Sequence, residues 1–122
     1  MNSASKHIAI ILMLLLSVHL SFGSGSDITR IDSLKHQLSQ EQGNEKLDLY
    51  LEIARLYMDH DPDSGLSYSQ RGYQQARKSD TQTHEAIFLK NMGRACYLLD
   101  RYQQGIDHLK DAAKIFDDQD EK

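Results

Sequence analysis

A chain of 122 residues, 39% hydrophobic and with a formal net charge of −4, has room for one small domain and its flanking segments. The mild acidity excludes nucleic acid as a partner, because phosphate binding needs clustered Lys and Arg, and Arg77-Lys78 and Lys110/Lys114 are too sparse to form such a patch. A single cysteine, Cys96, excludes an intrachain disulfide framework.

Residues 1–23 have the pattern of a secretory signal peptide. Lys6 and His7 precede an apolar run from Ile8 to Leu16 that resumes at Val18 and Leu20, and Ser21 and Gly23 supply the small positions for cleavage after Gly23. The alternative is an uncleaved leader that stays in the membrane, although the run falls short of the ~20 residues a span needs. Cleavage takes Lys6 away and moves the net charge from −4 to −5. The expected location is secreted or periplasmic, with the membrane involved only through an uncleaved leader or a region beyond Lys122.

Residues 24–44 comprise a linker and a leading helix. Ile28, Ile31, Leu34 and Leu38 recur at helical spacing behind Asp27 as N-cap, and Gln40 to Asn44 form a turn. This leading helix is expected to cover the exposed face of the helical pair that follows it, as the second helix of an abbreviated leading unit. Residues 45–80 begin with a helix from Glu45 to Asp59 whose inner face is Leu47, Tyr50, Ile53, Ala54 and Tyr57. Leu49, Leu51, Leu56 and Met58 make it apolar on more than one side, so it should be packed on more than one side. Asp61-Pro62 then starts a second helix, with aspartate as cap and proline in the first turn. Residues 81–119 hold two more helices, Thr81 to Leu99 and Tyr102 to Asp117, ahead of a polar tail at 120–122.

These four helices repeat one spacing of large and small residues about 40 positions apart. Tyr50, Ile53, Ala54 and Tyr57 return as Leu89, Met92, Gly93 and Cys96, and Gly65, Ser69 and Gly72 return as Gly105, Leu109 and Ala112. The pattern resembles the tetratricopeptide repeat, whose first helix carries W-x2-L-G-x2-Y and whose second carries an alanine-rich seam with one aromatic. The resemblance implies an all-α fold, a short α-solenoid of two helical pairs plus the leading helix. All these signature residues should pack, the small ones letting helix axes approach to ~8–10 Å.

The chain departs from the family pattern in several places. Arg77 and Asp117 stand where the closing proline is usual, and Ser69 replaces an aromatic. Gly65, Gly72 and Gly105 replace alanine, at an expected cost of up to ~1 kcal/mol each in helix propensity. The longer period is similar to repeats in the extracytoplasmic parts of bacterial sensor kinases and regulators.

The function implied by this resemblance is protein–protein interaction without catalysis or cofactor. A protein or peptide would lie in the concave groove of the first helices, where Glu52, Arg55, Asn91 and Arg94 sit between the packing positions, and self-association is the second option. Two pairs are fewer than a solenoid usually needs, so the chain is expected to be the N-terminal part of a longer one. The alternative is a sensor or dimerisation segment whose kinase or DNA-binding output lies beyond Lys122.

Other arrangements carry no chemistry. Asp59, Asp61 and Asp63 alternate like the first ligands of a calcium loop, but Ser64 and Gln70 occupy its glycine and bidentate glutamate positions. His84-Glu85 lacks the second histidine of a zinc-protease helix, where Phe88 stands. His108-Leu109-Lys110 lacks the spacing and the glycine of a phosphotransfer histidine. Cys96 falls on the packed face and is expected to be a buried structural thiol.

Overall fold

A computed structural model describes residues 3–9 and 25–121. The middle of the leader and its expected cleavage point lie outside the described residues. Residues 3–9 are helical (α1), followed by α2 (Gly25–Leu38), α3 (Gly43–Met58), α4 (Pro62–Lys78), α5 (Gln82–Leu98) and α6 (Tyr102–Asp120). Every element among the described residues is helical, so the fold is the all-α helical repeat expected.

The chain divides into two compact units, one ending at Ser33 and one beginning at Leu34. In the first, residues 3–9 are exposed, and the start of α2 buries Ile31 while leaving Ile28 open. The second contains the end of α2 and the repeat: α3 packs on α4, α4 on α5 and α5 on α6, with a smaller contact between α3 and α5.

A side-chain cap sets the start of α4. Asp61 accepts hydrogen bonds from the Ser64 backbone N–H at 3.2 Å and from its hydroxyl at 2.6 Å, with Pro62 in the first turn. These bonds hold the Asp61 carboxyl below its ordinary pKa. Asp27 is not the cap of α2: the helix begins two residues earlier at Gly25, and Asp27 lies in its first turn, where a carboxylate complements the helix dipole. At the other end α6 continues past Asp117 to Asp120, as the absence of a proline permits, so part of the expected polar tail is helical.

The turns after α4 and α5 are copies of one another. Asp80 and Asp100 adopt left-handed backbone angles, φ 50 and φ 60. The next residue closes the helix by donating backward, Thr81 N–H to Ala76 O at 3.0 Å and Arg101 N–H to Cys96 O at 2.8 Å. This is the helix-ending motif in which one left-handed residue lets two orphan carbonyls be satisfied. It reverses the chain by the same local motif twice, and α4 packs on α5 and α5 on α6.

Met58, Leu66, Leu89, Met92, Ala95, Cys96 and Ala112 form a continuous core cluster, with Tyr73, Leu99 and Ile115 against it. Tyr50, Ile53, Ala54, Gly65, Gly72, Gly93 and Gly105 are buried as well, and Tyr57 is half-buried. Leu109 is the exception among the signature residues. It touches α5 at Gly93 but remains 45% exposed, because no described helix covers the outer side of α6.

The first pair is better packed than its departures from the family pattern imply. A Cβ on Gly72 would lie 2.2 Å from the Phe88 ring, so glycine here admits the fully buried Phe88 of the next repeat. Ser69 is completely buried, and its hydroxyl donates to Gly65 O at 2.8 Å, so its polar atom is satisfied within the helix. Two substitutions that look like decay are thus a close approach and a satisfied small residue.

Candidate functional site: a groove between the first helices of the two pairs

On α3, positions 48, 51, 52 and 55 form one stripe, and on α5 positions 87, 90, 91, 94 and 97 form another, each position having a stripe neighbour three or four residues away. These stripes lie beside the packing residues, so burying Tyr50, Ile53 and Ala54 and then Leu89, Met92 and Gly93 turns them toward one another. Between them runs a groove of about 790 Å³. All four sequence-derived candidates, Glu52, Arg55, Asn91 and Arg94, line it.

Asp48, Leu51, Ile87, Lys90, Tyr97 and Leu109 line it too. The signal for Asp48, Leu51, Lys90 and Tyr97 was present in the sequence, since each is three or four residues from a candidate on the same helix. Leu109 could not be found that way. It comes from α6 and reaches the groove only because Gly93 has no side chain: a Cβ there would fall 2.7 Å from Leu109 Cγ.

The floor is apolar and the rim is charged. Arg94 donates to Asp59 at 3.1 Å, and His84 Nε2 lies 3.0 Å from Asp48 Oδ1, joining α5 to α3 at both ends of the groove. The other ring nitrogen of His84, Nδ1, is buried without a hydrogen-bond partner. Arg55 and Lys90 make no ion pair among the described residues. On a chain whose net charge is −4, the groove therefore offers two uncommitted cations on its rim.

The tyrosines lie mostly elsewhere. Tyr57 and Tyr68 stack with centroids 5.6 Å apart, and Tyr50 is tilted against Tyr68 at 6.3 Å. Lys35 from α2 sits 5.2 Å over Tyr57 and 5.6 Å over Tyr68, while Arg71 sits 4.9 Å over Tyr68. Hydrogen bonding with Tyr57 raises the Lys35 pKa. This cluster ties the end of α2 to the first pair.

Candidate chemistry elsewhere is taken up structurally. Asp59 pairs with Arg94, Asp61 caps α4, and Asp63 lies 3.7 Å from Arg101, so the three aspartates serve different partners. Burial pushes the Cys96 thiol pKa up, leaving it a poor nucleophile. Among the described residues no cluster of His, Cys, Asp or Glu is arranged to hold a metal.

Stacked helical hairpins with small residues at each crossing and an open groove along their first helices define a helical-repeat interaction domain. Residues 26–118 match the family described as the SusR N-terminal TPR domain, and the chain belongs to that family of tetratricopeptide-repeat domains. Domains of this kind are generally non-catalytic and bind proteins or peptides. No curated protein and no solved structure matches the chain.

Proposed function

We propose that this chain is an exported binding module whose α3/α5 groove holds an acidic segment of a partner protein. The observation that carries this reading is the pair of uncommitted cations, Arg55 and Lys90, above an apolar floor of Leu51, Ile87 and Leu109. A segment with a carboxylate beside an apolar side chain satisfies both at once, since burial of the apolar group supplies affinity and the cations select its neighbours. Export rests on the leader, Lys6 followed by the Ile8–Leu16 run and small residues at 21 and 23.

The test is panning a displayed library of short random peptides against the chain. Enriched peptides should place Asp or Glu next to an apolar residue, and the double variant Arg55→Glu, Lys90→Glu should lose them while keeping its helical circular dichroism and melting temperature. Binders with no acidic preference, or binding untouched by the charge reversal, would remove the reading.

A second reading is that the chain is the opening segment of a longer signalling protein with a kinase or DNA-binding output. It is supported by the description of its family as an N-terminal domain. Reading the gene past Lys122 tests it: further helical pairs followed by an apolar stretch of ~20 residues support it, and a stop codon refutes it.

A further inference from the structure

The outer side of α6 carries Tyr102, Ile106, Leu109, Ala113 and Phe116, spaced alternately four and three residues apart and all exposed. That is the spacing of a two-helix seam. Forty residues earlier, α4 carries the corresponding stripe Leu66, Ser69, Tyr73 and Ala76, and there it is covered by α5. The sizes on the two stripes are reversed. Where α4 has small Ser69 and Ala76 and large Tyr73, α6 has large Leu109 and Phe116 and small Ala113. A helix shaped like α5, which fits the α4 stripe, would meet bulk where it needs space and space where it needs bulk.

We propose that this stripe is a self-association seam, on which α6 of a second copy lies antiparallel. With the two-fold axis beside Asp111, Leu109 faces Ala113 of the partner copy, Ile106 faces its Phe116, and Tyr102 faces its Asp120. Large then meets small in the central layers, so the stripe is complementary to itself in the way a two-fold interface requires. This seam is separate from the α3/α5 groove in all but Leu109, and its test does not depend on any groove ligand. The same register sets Lys110 beside its own copy, a like-charge approach that makes a further signature.

Sedimentation equilibrium of the full chain tests the proposal. The expected result is a reversible monomer–dimer equilibrium that Ile106→Asp and Phe116→Lys each weaken by about tenfold or more, by putting an unpaired charge in an apolar layer. Mixing those two variants restores a heterodimer, because Asp at 106 then faces Lys at 116 while the other Ile106–Phe116 layer remains intact. Lys110→Gln tightens the dimer. Monomer at every soluble concentration overturns the proposal, and so does association that survives both charged variants or a mixture that fails to recover, since a parallel seam cannot be rescued this way. Melting curves of each variant separate loss of the seam from loss of the fold.

Discussion

At the residue scale, two contacts carry more than their residue types imply. Gly72 admits Phe88, so Gly72→Ala should destabilise the domain by about 1–3 kcal/mol despite alanine's better helix propensity, through overpacking measurable by urea denaturation. Phe88→Leu in the same chain should recover part of that loss, and simple additivity of the two changes would deny the contact. The Asp61 carboxyl is the second case. Its pKa is lowered by hydrogen bonds from Ser64, so its contribution is present above the ordinary carboxylate range and is lost as pH falls through its own lower value. Asp61→Asn should therefore melt below the wild type at neutral pH, and the two melting temperatures should converge in acid. A constant gap down to strongly acid pH would contradict this.

At the element scale, the chain reversals after α4 and α5 depend on single left-handed residues, Asp80 and Asp100. Replacing Asp80 with glycine should raise stability by about 0.5–1 kcal/mol, because glycine adopts that backbone without steric cost. The corresponding change at Asp100 should gain less, since Asp100 also accepts the Tyr102 hydroxyl at 2.7 Å. That bond raises the Tyr102 pKa. Denaturation of both variants checks the difference, and equal gains would contradict the role given to the Tyr102 bond. The helices themselves were legible in the sequence, because large and small residues recur with the period of a buried helical face and Asp61-Pro62 marks a start. The start of α3 was not, since no side chain locks one position there: α3 begins at Gly43 after an uncapped Gln42.

At the scale of the whole molecule, the repeat spacing set which faces are buried, while the meaning of each departure from the pattern depended on a neighbouring helix. Gly72 looked like a loss because Phe88 lies on another helix, sixteen positions beyond it, and Ser69 because its acceptor, Gly65 O, is a backbone atom of its own helix. Leu109 looked like core because its exposure depends on what covers α6. Part of the groove was likewise readable, Glu52, Arg55, Asn91 and Arg94 from their place between packing positions, whereas its apolar floor needs Leu109 arriving across Gly93.

The proposed binding surface is the α3/α5 groove, with Arg55 and Lys90 on its rim. Amide shift mapping by NMR, with an acidic peptide recovered by panning titrated into the labelled chain, tests it most directly. The shifted amides should cluster on α3 at 48–55 and α5 at 87–97, and Arg55→Glu with Lys90→Glu should abolish the shifts. Shifts concentrated on α4 or on the Tyr57–Tyr68 cluster, with the groove silent, would contradict it.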